Sequence, residues 1–171
     1  MPEKQYYVAC LDLSGRRCLV VGAGPLAAQK ARSLTDCGAD VNVRERDYEP
    51  SDLDGCFLVV AATEDTALQR RVFADAEARA VLCNVPDVPE LCSFILPAVH
   101  RDGPIAIAVS TGGASPALAQ WIRARVAELV GPEHAELADE LRRLRPWAKE
   151  NLPTYEERRD YFQGLVERAL S

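Results

Sequence analysis

Gly22-Ala23-Gly24-Pro25-Leu26-Ala27 has the pattern G-x-G-x-x-A. Glycines at the first and third positions let a chain turn tightly and bring its backbone close to a pyrophosphate at a helix N-terminus. The pattern alone is common, and it gains weight only between a strand and a helix. An apolar run precedes it here and a helical period follows it, so the residues point to a dinucleotide, NAD or NADP. About 20 residues further on, Arg44-Glu45-Arg46 offers an acid for a ribose diol and arginines for a 2′-phosphate. Glu45 favours NAD, while a solvated loop explains these side chains equally well.

Thr63 and Asp87 follow runs that read as strands, and Asn84 lies near the end of one. An open sheet would gather them beyond the carboxyl ends of its strands, where such folds bind ligands. Asp87 lies in the proline-bracketed turn Asn84-Val85-Pro86-Asp87-Val88-Pro89. A carboxylate held beside a cofactor can serve as a general base, and a turn-stabilising Asp is the plain alternative. Ser110-Thr111-Gly112-Gly113-Ala114-Ser115-Pro116 combines hydroxyls, backbone N–H groups and a helix start, which suits phosphate or carboxylate. An ordinary capped helix start fits it as well. Arg142, Arg143 and Arg145, like Arg158 and Arg159, are interspersed with acids and read as solvated helix faces. Trp121 and Trp147 read as packing or subunit-contact residues.

No metal site is expected. The two imidazoles, His100 and His134, have no second ligand at helical or zinc-finger spacing, and the six cysteines contain no C-x-x-C pair. Cys10, Cys18, Cys37, Cys56, Cys83 and Cys92 mostly sit in apolar runs and read as buried reduced thiols.

The elements that position these groups follow from periodicity. Arg17–Val21 is an apolar run typical of a central parallel strand. Pro25–Cys37 has helical spacing in Ala27, Ala31 and Leu34, with Pro25 suited to the first turn and Gly38 to the stop. Ala39–Val43 alternates as a short strand. The polar stretch Arg44–Gly55 is too short for a crossover helix plus a strand, so a loop must reach the next strand, Cys56–Ala62. A helix over Thr66–Arg79, with Leu68, Val72, Phe73 and Ala76 on one face, and a strand over Val81–Val85 complete an open α/β sheet. Ser93–Val99 and Ile105–Val109 predict a hairpin about the cluster His100-Arg101-Asp102-Gly103-Pro104. Helices are predicted over Ala117–Leu129, Glu133–Glu150 and Tyr155–Ala169, broken at Gly131-Pro132 and Leu152-Pro153.

The 171 residues, 48% of them hydrophobic, suffice for a substantial core. A formal charge of −6 argues against nucleic acid as a partner. No run approaches the roughly 18 apolar residues of a bilayer span, and Met1–Gln5, with its proline and mixed charges, is unlike a signal peptide. A soluble cytoplasmic protein is expected.

Taken in order, Leu11-Asp12-Leu13, Arg17–Gly24, Lys30-Ala31-Arg32, Ala61-Ala62-Thr63-Glu64-Asp65, Asn84-Val85-Pro86-Asp87, Ser93-Phe94-Ile95-Leu96-Pro97-Ala98 and Ser110–Pro116 resemble the precorrin-2 dehydrogenase family, which also forms the N-terminal part of siroheme synthase. The resemblance implies a Rossmann-like NAD-binding parallel sheet with a β-hairpin extension over residues 1–111. It implies a C-terminal helical dimerisation and tetrapyrrole-binding region over residues 112–171. The implied activity is NAD-dependent oxidation of precorrin-2 to sirohydrochlorin, with metal chelation in some members, and the implied assembly is a homodimer. Gly22, Gly24, Pro25 and Leu26 would lie under the pyrophosphate, Glu45 at the ribose, Thr63 near the cofactor and Asn84 beside the reacting region. Asp87 would be the catalytic base. Ser93, Ser110, Thr111, Gly112, Gly113 and Ser115 would be substrate contacts, a polycarboxylate suiting the glycine-rich loop.

The chain departs from that pattern between Val43 and Asp52, where the family has a longer stretch with another strand. The shortening should leave the second strand at a sheet edge. No methyl transfer is expected. A non-catalytic NAD- or tetrapyrrole-binding module and a chelatase without dehydrogenase activity are the competing readings.

Overall fold

The structure, a computed structural model, describes residues 5–171; the Met1–Gln5 stretch read as unlike a signal peptide lies, Gln5 apart, outside them. The chain divides into two compact units, one ending at Leu96 and the other spanning Pro97–Ser171.

The first unit is built on β1 (Arg17–Val21), α1 (Gly24–Thr35), β2 (Asp40–Arg44), β3 (Leu58–Ala61), α2 (Thr66–Ala78) and β4 (Leu82–Asn84). The four strands form one parallel sheet in the order β2-β1-β3-β4. β1 and β3 are apolar on both faces because both faces are covered. Cys18, Val20, Leu58 and Val60 pack with Ala27, Ala31 and Leu34 of α1. Leu19, Val21, Val59 and Ala61 pack with Val72 and Ala76 of α2 on the other side. Each fully buried valine or leucine among them contributes about 1.5–3 kcal/mol. β2 alternates polar and apolar residues, is largely exposed, and lies at the edge, as the short following segment implies.

The link from β2 to β3 contains a single turn of 3₁₀ helix, Pro50–Leu53, where a crossover helix would otherwise cover the sheet. Tyr48 and Leu53 supply that cover, both buried in the α2-side core. The Tyr48 hydroxyl donates to Asp75 Oδ2 at 3.0 Å, and burial followed by this bond pushes the phenol's pKa up. Arg44 Nε meets Asp52 Oδ1 at 2.9 Å, closing the link at its start. Burial opposes the Asp52 charge, but the Glu49 amide and Arg44 outweigh it and hold the carboxyl below its usual range.

The second unit opens with an antiparallel hairpin, β5 (Ala98–Asp102) and β6 (Ile105–Val109), joined by Gly103-Pro104. The predicted strand at Ser93–Val99 thus begins only at Ala98, and His100, Arg101 and Asp102 lie in β5 rather than in the turn. His100 is held there by a 2.8 Å contact between Nε2 and the Val130 carbonyl. Helices α3 (Pro116–Leu129), α4 (Pro132–Asn151) and α5 (Tyr155–Ala169) follow, broken at the expected prolines. α3 packs on both hairpin strands, so the hairpin is compact with the helices, and the division falls before it at Leu96 rather than after Thr111.

Cys18, Cys83 and Cys92 are buried and Cys56 half-buried, but Cys10 and Cys37 are exposed, contrary to the expectation of burial. Among the described residues, no helix is long and apolar enough to cross a membrane. Nor is there, among them, a group of three or more His, Cys, Asp or Glu able to hold a metal ion.

Candidate functional site

From β1 the chain moves to β2 on one side and then to β3 on the other, so the carboxyl ends of β1 and β3 flank the point where strand order reverses. Gly22 sits in that gap. Its N–H donates to the Arg44 carbonyl at 2.8 Å, fastening it to the end of β2. On its other side a Cβ would stand 2.0 Å from the Ala62 carbonyl oxygen, and its φ is +140°. Only glycine fits there. Gly24 is left-handed as well, at φ +79°, but nothing stands within 4 Å of where its Cβ would be. Ala23 caps α1 without a side-chain hydrogen bond, Pro25 fills the first turn, and no acid lies in that turn. The first-turn amides and the positive end of the helix are therefore available to an anion above Gly24. The exposed Leu26 borders the same place.

Glu45 directly follows the β2 end that holds Gly22 and is exposed. Arg44 beside it is engaged by Asp52. Thr63 follows β3. Its hydroxyl accepts from the Asp65 amide at 3.2 Å, and its carbonyl accepts from Gln69 Nε2 at 2.6 Å. Asp65 caps α2 by accepting from the Ala67 and Leu68 amides. Gln69, buried on the inner face of α2, thus holds the turn after β3.

The register pairs Val20 with Val60 and Val60 with Asn84. Two strand spacings, about 10 Å, separate the β1 and β4 ends. Asn84 is buried, and its Nδ2 donates to the Phe94 carbonyl at 3.1 Å. Pro86 and Asp87 form a turn closed by the Val88 N–H on the Val85 carbonyl at 3.2 Å. Proline at the second turn position and positive φ at the third are the pattern of a type II turn, where glycine is favoured. Asp87 holds φ +64° and is exposed. A non-glycine residue pays roughly 1 kcal/mol for such a backbone, so the carboxylate stands where a turn alone would select glycine.

β4 is the other edge of the sheet, and its outward amides are met by side chains. Cys83 N–H donates to Ser93 Oγ at 2.7 Å, and the Ser93 hydroxyl in turn lies 3.2 Å from the Cys83 carbonyl. Val85 N–H donates to Cys92 Sγ at 3.2 Å. Ser93, expected as a substrate contact, is thus engaged by the strand. Burial, with Cys92 nearby, pushes the Cys83 thiol up to about 12.

The Ser110–Ser115 loop belongs to the second unit. Ser110 Oγ accepts from the Gly112 amide at 3.2 Å, Thr111 Oγ1 accepts from the Ser115 amide at 3.0 Å, and Ser115 Oγ accepts from the Leu118 amide at 3.2 Å. The hydroxyls therefore shape the loop and cap α3. Nothing lies within 4 Å of the space above Gly112 and Gly113, which leaves their backbone approachable.

Gln69 and Cys92 are the residues that sequence reasoning missed as part of the site. Gln69 has a readable signal, a polar residue one turn before Val72 on a buried helical face. Cys92 has none, since a thiol in an apolar stretch looks like packing.

A family model described as "Putative NAD(P)-binding" matches residues 9–98. A second, described as "Sirohaem biosynthesis protein central", matches residues 102–129. A siroheme synthase of Azotobacter vinelandii is 42% identical over 94% of this chain and 40% of its own length. One of Pseudomonas entomophila is 41% identical over 93% of this chain and 40% of its own. The chain thus spans about two fifths of the curated relatives it matches. The solved structure of SirC, precorrin-2 dehydrogenase, superposes with a TM-score of 0.77 at 22% identity, covering 97% of this chain and 93% of that one. That likeness shows a shared fold.

Proposed function

Since the chain belongs to the family described as "Putative NAD(P)-binding", we propose that it is an NAD-dependent dehydrogenase converting precorrin-2 to sirohydrochlorin. The observation that carries this reading is the gap at Gly22. The ends of β2 and β3 close on a residue that cannot carry a side chain, while the space over Gly24 and the start of α1 stays open. A pyrophosphate fits that cradle, held by backbone amides and the helix end. Glu45, at the end of β2, is positioned for a ribose diol, and Arg44, drawn to Asp52, is taken away from a 2′-phosphate; both favour NAD. When bound, NAD supplies the acceptor for two electrons and one hydrogen from the macrocycle. Asp87 takes the accompanying proton onto its carboxylate and passes it to water, so one NADH and one proton appear per sirohydrochlorin. Asn84 holds the segment behind Asp87 through Phe94.

The Gly112-Gly113 backbone, in the second unit, suits the carboxylates of a tetrapyrrole. A homodimer belongs to the same reading. Leu137, Leu141 and Leu144 of α4 and Leu165 of α5 line an open groove that a second copy would cover. The free thiols of Cys10, Cys18, Cys37, Cys56 and Cys83 fit the cytoplasm.

The test is an anaerobic absorbance time course on enzymatically generated precorrin-2, with and without NAD, following sirohydrochlorin and NADH together. Equal appearance of both, only with NAD, is expected. Tetrapyrrole binding without turnover would assign a binding module instead. Metal insertion into supplied sirohydrochlorin without dinucleotide, and no oxidation, would assign a chelatase.

A further inference from the structure

Cys92 is buried, 7% exposed, and its sulfur sits among the backbone groups at both ends of the Pro86-Asp87 turn. It accepts from the Val85 N–H at 3.2 Å. Its S–H reaches the Val85 carbonyl at 3.2 Å and the Val88 carbonyl at 3.3 Å. Asn84 Nδ2 lies 3.5 Å from the same sulfur. A thiol has one proton, so it donates to one carbonyl at a time while accepting from Val85. The Val85 carbonyl also receives the turn's own bond from the Val88 N–H and the Val88 carbonyl one from the Leu91 N–H, each keeping a second lone pair for the thiol, and the bond that reaches across the turn is the one to Val88. Bonded in that way, one side chain ties the residue two before Asp87 to the residue after it.

We infer that Cys92 is a positioning residue for Asp87, holding the carboxylate where catalysis needs it by bridging the two ends of its turn. This rests on the reading of Asp87 as the base. Two features give the bridge something to do. Asp87 occupies a left-handed backbone, at φ +64°, that a free turn would not keep at an aspartate. β4 also ends at Asn84, so no neighbouring strand orders Val85 and the residues after it. Ser93 does for Cys83 what Cys92 does for Val85, so consecutive side chains replace a missing fifth strand along this edge.

The test compares Cys92→Ala, Cys92→Ser and Cys83→Ala, the last removing the same atoms from a fully buried thiol in β4. Steady-state kinetics on precorrin-2 with NAD is read beside amide hydrogen exchange at Val85 and Val88. Cys92→Ala should lower kcat about tenfold with KM little changed, since misplacing a catalytic group acts on the chemical step. It should also speed exchange selectively at Val85 and Val88. Cys92→Ser, with the same donor and acceptor inventory, should restore most of both. Cys83→Ala should lower stability and leave kcat and those amides as they were.

Equal behaviour of Cys92→Ala and Cys83→Ala, or a Cys92→Ser no better than Cys92→Ala, would overturn the inference. If Cys92→Ala does not fold, Cys92→Ser decides: kcat and exchange near wild type uphold the bridge, and a tenfold loss of kcat in a folded protein overturns it. If the wild-type protein does not oxidise precorrin-2, the dehydrogenase reading fails and exchange alone decides. Selective loosening of Val85 and Val88 then upholds the fastening, and unchanged exchange removes it.

Discussion

The turns after β1 and β4 lie at the same end of one sheet, yet opposite means shape them. At Gly22 the conformation exists because a side chain is missing: the Arg44 carbonyl bonds the amide on one side, and the Ala62 carbonyl occupies the place of a Cβ on the other. At Asp87 the backbone is also left-handed, but the residue carries a carboxylate and the turn is fastened by Cys92 and its own Val88–Val85 bond. On the function proposed above, the first arrangement makes room for a ligand, and the second keeps a reactive group in place. Substitutions should therefore fail differently at the two turns.

The largest effect on the protein should come from the glycines. Gly22→Ala places a methyl 2.0 Å from the Ala62 oxygen. Backbone must move on β1 or β3, at a cost of about 3 kcal/mol, with NAD binding lost. Gly24→Ala meets open space and pays only backbone strain, about 1 kcal/mol. Its NAD affinity should fall about tenfold at most. Thermal unfolding and calorimetric titration of both variants check this; equal losses would break the contrast between a steric and a conformational glycine. A smaller effect of opposite sign is expected at the other turn. Asp87→Gly relieves the left-handed strain and should raise stability by roughly 0.5 kcal/mol while turnover disappears. A destabilised Asp87→Gly would mean that the carboxylate supports the turn rather than being held in it.

The difference between the turns also explains what could be read beforehand. Gly22 and Gly24 announce themselves because strand, turn and helix are local, and the apolar runs of β1 and β3 follow directly from burial on both faces. The edge position of β2 followed from a count of residues between strands. Ser93–Val99 misled because Ser93 and Phe94 lie in an apolar stretch with strand composition, while their polar atoms are taken by Cys83 and Asn84. His100, Arg101 and Asp102 resemble turn residues by type, yet the hairpin needs only Gly103-Pro104 to reverse. Asp87 could be named from its proline-bracketed setting. The Cys92 bridge could not, because it depends on how residues 85–92 loop back on themselves, which no spacing rule specifies.

The most direct test of the account is Asp87→Ala measured on one preparation for NAD affinity and for single-turnover oxidation of precorrin-2. NAD should bind at the wild-type level and the rate should fall by about 10²–10⁴-fold, the usual worth of a general base. Oxidation at the wild-type rate would contradict it and leave Asp87 a turn residue.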